Sequence, residues 1–198
     1  RCAAPQNDAD PTGSACLPEV QVLGRRENLV RASISASQGL IGPTELGSRP
    51  RLRSGDLLEY VPGLVATQHS GSGKANQFFL RGFNLDHGTD FATFVDGMPV
   101  NLVSHGHGQG YTDLNFLIPE MVEELDYRKG PYFADVGDFA SAGAARFSLI
   151  DEVSVPSTEL TLGEYGYLRG VALAGADLGA ANLVLGAERQ AYDGPWTD

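Results

Sequence analysis

The sequence predicts an α+β fold, a small mixed sheet with short helices, followed by the first antiparallel strands of a transmembrane β-barrel. Three observations carry that prediction. The 25 glycines and 11 prolines of this 198-residue chain separate short runs of Val, Leu, Phe and Tyr, which is the pattern of brief strands and tight turns. Asp96-Gly97 stands between two apolar runs, a strong hairpin signal because a two-residue primed turn needs positive φ at both centres. After Asp151 the chain changes to segments of about ten residues in which apolar residues alternate with small or polar ones, the length and period of tilted membrane strands.

In chain order, residues 1–18 read as a flexible leader ending at Pro18. Its Cys2 and Cys16 are expected to pair in an oxidising compartment, restricting the unfolded chain by about 3 kcal/mol in the entropy model; lipid attachment at Cys2 is the alternative. Glu19, Val20, Gln21, Val22, Leu23 and Gly24 follow. Val20 and Val22 alternate as in a strand awaiting a partner, and an ordinary edge strand is the plainer reading. A polar stretch leads to Ser54, an N-cap candidate for a short helix over 56–61 that Pro62-Gly63 stops. Strands are predicted at 64–67, 77–80, 91–95 and 98–103, the last two joined across Asp96-Gly97. Pro119 suits the first turn of a brief helix over 119–123, and 124–129 reads as a strand closed by Gly130-Pro131. Residues 64–150 thus make a small mixed domain, and 158–163, 168–178 and 181–191 are the candidate membrane strands. Three strands leave unpaired backbone groups in lipid, so this reading expects further chain after Asp198.

Composition excludes several classes. A net charge of −11 argues against a nucleic-acid partner, which requires a cationic surface. Seven of the 14 basic residues, Arg1, Arg25, Arg26, Arg31, Arg49, Arg51 and Arg53, lie in the first 53 positions, so the two ends are expected to face different surroundings. No run approaches the roughly 20 apolar residues of a membrane-spanning helix, and the start has no basic segment followed by an apolar one, so the sequence reads as mature. From Ser70 to Ala75 the chain is rich in glycine, but Gln68 and Ala75 stand where a phosphate loop requires Gly and Ser or Thr.

Five landmarks in order resemble one family, the TonB-dependent outer-membrane receptors. Residues 19–24 look like the box that engages the energy transducer. Gly55-Asp56-Leu57-Leu58 with Val61-Pro62-Gly63-Leu64 resembles the first motif of the plug, and Phe79-Leu80-Arg81-Gly82-Phe83 resembles the next. Val95-Asp96-Gly97-Met98-Pro99-Val100 is similar to the plug hairpin, and residues 121–131 resemble the segment that closes the plug sheet. The resemblance implies a leader at 1–18, a box-like segment at 19–27, a plug domain at 28–150 and the first three or so barrel strands at 151–198. It implies a receptor of the bacterial outer membrane, not an enzyme, with its amino terminus in the periplasm, membrane lipid around the barrel and a TonB-type energy transducer as partner. The substrate would be a small molecule or metal complex, with no cofactor required and a metal or metal chelate as conceivable cargo. Arg81, which sits between Leu80 and Gly82 in an otherwise apolar strand, is an expected ionic contact between plug and barrel, and Glu123 and Lys129 are the others. The family usually has Arg before the Gly-Pro, and Lys129 offers a point charge instead of a bidentate fork. The glycine-rich ending of the plug is also altered, at residues 133–147.

If the plug alignment holds, its outward apices are the loops 68–76, 84–90 and 103–113. All four histidines, His69, His87, His105 and His107, fall in these loops. The substrate-facing set is therefore Gln68, His69, Asp86, His87, His105, His107, Gln109 and Tyr111. The spacing of His105 and His107 allows two imidazoles on one face of an extended loop, with Asp86, Asp90 and Asp113 available to complete a metal-ligand set. Hydrogen bonding by His105, His107, Gln109 and Tyr111 to a polar ligand such as a siderophore, sugar or cofactor is the milder reading, and turns that merely hold shape are the plainest. Two other classes compete: a zinc hydrolase using His105 and His107, which lacks a third ligand at usual spacing, and a ligand-sensing or adhesive outer-membrane protein.

Overall fold

The computed structural model describes residues 35–68 and 73–195. The cysteine pair, the segment 19–24 and His69 lie outside the described residues. Along the chain come β1 (Gln38–Ile41), α1 (Pro43–Leu46), a 3-10 helix (Ser54–Tyr60), β2 (Leu64–Thr67), β3 (Gln77–Leu80), β4 (Phe83–Asn84), β5 (Phe91–Val95) and β6 (Met98–Pro99). A second 3-10 helix (Pro119–Met121) precedes β7 (Val122–Lys129) and β8 (Gly143–Leu149), and β9 (Ser157–Leu162), β10 (Leu168–Asp177) and β11 (Asn182–Ala191) complete the order.

They form three sheets. The central one has the order β1-β7-β8-β5-β6, with β5 and β8 parallel and the other pairs antiparallel. Asp96 and Gly97 have φ of 47° and 79°, the conformation a primed two-residue turn requires, and Val95 pairs with Met98 across it. A second sheet, β2-β3-β4, packs with the first around one core that includes Ile41, Leu57, Leu58, Phe78, Leu85, Leu125 and Phe147. Each such side chain contributes roughly 1.5–3 kcal/mol by leaving water. On β7, Val122, Leu125, Tyr127 and Lys129 are buried; a bulge between Val122 and Glu124 inserts the extra residue that breaks strict alternation.

Several expectations are corrected here. Ser54 caps nothing: it begins the first 3-10 helix and its hydroxyl donates to Leu117 O at 2.6 Å, tying that helix to the loop before β7. The strand expected over 98–103 ends at Pro99, because the chain bends to bury Asn101 while Leu102 and Val103 turn outward. The helix expected over 119–123 is a single 3-10 turn. Four elements were not anticipated, namely β1, α1, β4 and β8. In β8, Gly143 has φ of +149°, and an added Cβ would strike the backbone carbonyl of Arg128. Gly143→Ala is expected to cost at least about 2 kcal/mol through strain and lost pairing, seen as faster amide exchange in β7 and β8.

The third sheet, β11-β10-β9, has two faces of opposite character. Register places Leu162, Leu168 and Ala191 on one face, and likewise Ala172 with Ala187, Ala174 with Leu185 and Ala176 with Leu183. The other face carries Thr161, Arg169 and Gln190 and, one pair further on, Glu159, Val171 and Glu188. The first face exposes Leu160, Leu162, Leu183 and Leu185; the second meets the α+β domain. At Gly186 the approach is close, since an added Cβ would collide with the sulfur of Met121 and reach Ile118 at 3.2 Å. Apolar outside and polar inside is the pattern of a barrel wall with its contents.

Candidate functional site

The three apical loops converge through hydrogen bonds centred on Asn101. This side chain is buried. Its Oδ1 accepts from Thr93 N at 2.7 Å, and its Nδ2 donates toward Gly88 O, Phe91 O and Gly110 O, each at 3.0 Å. One amide thereby joins strand β5 to two of the loops. Thr112 N donates to His87 O at 2.7 Å, and Ala75 N donates to the Tyr111 hydroxyl at 2.9 Å. Glycine is needed at Gly88, where φ is +113° and the side chain of Thr112 occupies the space a Cβ would take.

His87 lies at the centre and is almost wholly buried. Its Nδ1 sits 2.9 Å from Ala75 O and 3.0 Å from Asn76 O. Two acceptors at one nitrogen place the proton there, so Nε2 is the edge turned toward Asp86 Oδ1, 3.7 Å away. Burial holds the His87 pKa below that of an ordinary histidine, against the opposing pull of Asn76 O and Asp86, and so favours neutral imidazole. His107 packs edge-on against His87 with ring centres 4.5 Å apart.

The sequence-predicted residues separate into those this arrangement gathers and those it does not. Asp86, His87, His107 and Tyr111 are together. His105 stacks on Tyr111 at 4.0 Å, and its Nδ1 accepts the His107 N–H at 3.2 Å, so the expected pairing of His105 with His107 on one metal gives way to Asp86, His87 and His107. These three bring one ligand atom each within 4.8 Å of one another. Asp90 accepts a hydrogen bond from Ser141, and Asp113 accepts from Asn115 N at 2.8 Å; each is held away from the imidazoles. The Gln109 side chain is exposed, its backbone carbonyl accepting from Thr89 at 2.8 Å. Gln68 stands apart, accepting from Arg53 at 3.0 Å. It lines a cleft of about 1060 Å³ between the domain and the wall, with Asn76 and Phe116 on one side and Tyr165, Gln190 and Tyr192 on the other. Of the described residues, His87, His105 and His107 are not in that cleft.

Where the domain meets β9, β10 and β11, the ionic contacts among the described residues are made by charges other than Arg81, Glu123 and Lys129. Arg81 occupies the β3–β4 turn with φ of 53°, not an apolar strand, and its guanidinium reaches Ser37 Oγ at 3.5 Å. Lys129 is buried within the domain, donating to Pro62 O at 3.3 Å beside the Tyr127 ring; burial, with Arg81 adding repulsion, holds its pKa below the usual lysine value. Glu123 is exposed at the bulge. The joint is Arg169 of β10, which donates to both oxygens of Glu120 at 2.8 and 2.7 Å and to both oxygens of Glu188 at 3.1 Å. Side-chain exposure is 2% for Arg169 and 8% for Glu120. Burial opposes ionisation of Glu120, but the Arg169 hydrogen bonds and charge outweigh it and hold the carboxyl below the ordinary glutamate value. One signal in the sequence points to this joint: Arg169 sits between Leu168 and Gly170 in a membrane-type strand, where a charge belongs on the face away from lipid.

A mixed-sheet domain docked by a buried ionic joint onto strands that are apolar on their far face is the architecture of a plug held against a barrel wall. Residues 30–144 match the model of the TonB-dependent Receptor Plug Domain, and the chain belongs to that family. Similar solved structures include the copper transporter OprC, with 22% identity and a TM-score of 0.60 over 84% of this chain and 26% of that one. The siderophore receptor PirA from Acinetobacter baumannii gives 19% and 0.57 over 79% and 24%. FpvA of P. aeruginosa, bound to heterologous pyoverdines, gives 15% and 0.60 over 78% and 20%. The chain therefore spans about a quarter or less of each of these receptors.

Proposed function

We propose that this chain is the plug and first wall strands of an outer-membrane active-transport receptor, whose plug blocks the lumen, receives substrate on its apical loops and is opened from the periplasm by a TonB-type energy transducer. The observation that carries the proposal is the Glu120–Arg169–Glu188 joint. It attaches the plug to the inner face of the wall through a few charged contacts, which hold it at rest and release without unfolding the core. The amino terminus lies in the periplasm on this reading, and residues 19–24 reach the transducer. An extended segment adding to a partner's sheet edge binds through main-chain hydrogen bonds, which proline interrupts. Cargo is a small molecule or metal complex, carried without chemical change.

Proline at Val20 or Val22 in the full-length receptor is expected to abolish energised uptake while leaving substrate binding at the outer face intact. Uptake by whole cells and binding by purified receptor are measured for the same variant. Uptake at the wild-type level would remove the assignment of residues 19–24.

A further inference from the structure

We infer that Asp86, His87 and His107 form a binding site for a divalent first-row transition ion of the Zn2+ or Cu2+ class, and that this ion is the cargo or the metal centre of the cargo. The site stands on geometry; the word cargo rests on the transport reading above.

The three ligand atoms lie within 4.8 Å of one another. Around a tetrahedral ion with bonds of about 2.0–2.2 Å, ligand atoms stand about 3.3 Å apart, so the group must close by little more than an ångström. The ligand free to make that movement is His107, which is exposed between two glycines. A Cβ at Gly106 would meet nothing, and one at Gly108 would meet only the Asp86 carboxylate at 3.5 Å, so this strip of loop is not wedged in place. His87 is the fixed ligand. Its Nδ1–H is held by two backbone carbonyls, the outer-shell arrangement that sets the tautomer and orientation of a metal-binding imidazole and directs Nε2 outward. A purely structural role would account for the Nδ1 contacts, yet it gives no reason for a second imidazole and a carboxylate at the opposite edge of the ring.

The donor chemistry selects the ion. Two imidazoles and one carboxylate suit Zn2+, Cu2+ or Ni2+, with the strongest binding at copper, and they suit neither Ca2+ nor Mg2+. The set contains no sulfur, which argues against Cu+. Three protein ligands leave a coordination position open, so the site admits a hydrated ion or a chelate with vacant positions.

The test is equilibrium dialysis of the full-length receptor in detergent against ZnCl2 and against CuCl2. Wild type is expected to hold one ion at this site. His107→Ala and Asp86→Asn should each weaken binding at least roughly tenfold, whereas His105→Ala should change it less than about threefold. Asn tolerates the positive φ of position 86, and His107 is exposed, so both variants keep the fold. A parallel arm uses Zn2+ nitrilotriacetate, which has open positions. Its binding in preference to the free ion, lost in the same two variants, upholds the site and identifies a chelate. Failure of wild type to bind in either arm, or wild-type affinity in His107→Ala, overturns the inference. Accumulation of the bound metal in cells is scored separately: an ion that binds as described but never enters upholds the site and refutes the transport reading.

Discussion

Arg169→Ala in the full-length receptor is expected to loosen the plug from the wall by about 3 kcal/mol, the low end for a broken buried ion pair, because Glu188 is only part-buried and Arg51 stays near Glu120. Arg169 makes two bidentate contacts, to Glu120 and to Glu188, so one truncation removes both and leaves Arg51, 3.9 Å from Glu120, as the remaining cation beside the two carboxylates. Arg169→Lys recovers only part of the loss, because an ammonium cannot span both carboxylates in the plane of a fork. Glu120→Gln and Glu188→Gln combined with Arg169→Met should cost less than Arg169→Ala, since neither carboxylate is then left without its counter-ion. The readout is the conductance of the receptor in planar bilayers during a urea titration, where an undocked plug opens the lumen at lower urea. The joint also has a defined pH dependence. The folded pKa of Glu120 lies below its ordinary value of 4.5, so its contribution is fully present above that value and is lost as pH falls through the depressed one. Docking should therefore persist through mildly acid conditions and weaken only below the usual glutamate range; weakening near pH 6 would contradict the assignment.

Asn101→Ala is expected to destabilise the apical loops by about 2–4 kcal/mol, because it orphans the buried Thr93 N–H and removes the donor shared by three carbonyls. Asn101→Asp is predicted to be no better. It keeps an acceptor for Thr93 but places a carboxylate against the carbonyls of Gly88, Phe91 and Gly110. Since Gly88 follows His87 and Gly110 precedes Tyr111, the loss should reach the histidine group. Amide exchange at residues 88–93 and 110–112 should accelerate by two orders of magnitude or so, which is about the same free energy at roughly 1.4 kcal/mol per decade. Exchange confined to the wild-type rate would mean that other contacts hold the loops.

What could be read from the sequence divides along physical lines. The turn at Asp96-Gly97, the strands 64–67, 77–80 and 91–95 and the wall strands were legible because local chemistry or alternation specifies them. Strand β8 was not. It begins Gly143-Ala144-Ala145, small residues buried between β5 and β7, and only Ala145, Phe147 and Leu149 alternate with Arg146 and Ser148, a run too short to stand out after the glycine- and alanine-rich stretch before it. Strand β1 turns Gly39 and Ile41 inward, too brief a pattern to register. At the site, the His105-Gly106-His107 spacing suggested a pair on one metal, but stacking on Tyr111 claims His105. The partner of His107 is instead His87, twenty positions earlier in another loop. Loop convergence of that kind depends on Asn101, an ordinary polar residue after a hairpin, and carries no local signature. For the ionic joint the sequence points instead to Arg81, Glu123 and Lys129, to Arg81 because it stands between Leu80 and Gly82 in an apolar run and to Lys129 because the resemblance places a cation before Gly130-Pro131. Glu120 follows Pro119 in a one-turn helix and meets its partner 49 positions later.

The most direct test of the central claim is accumulation of labelled metal salts and metal chelates by cells that carry the full-length receptor, with and without the energy transducer. At least one member of the panel is predicted to accumulate only when receptor and transducer are both present. A member that binds the purified receptor yet accumulates equally in cells lacking the transducer would contradict the account.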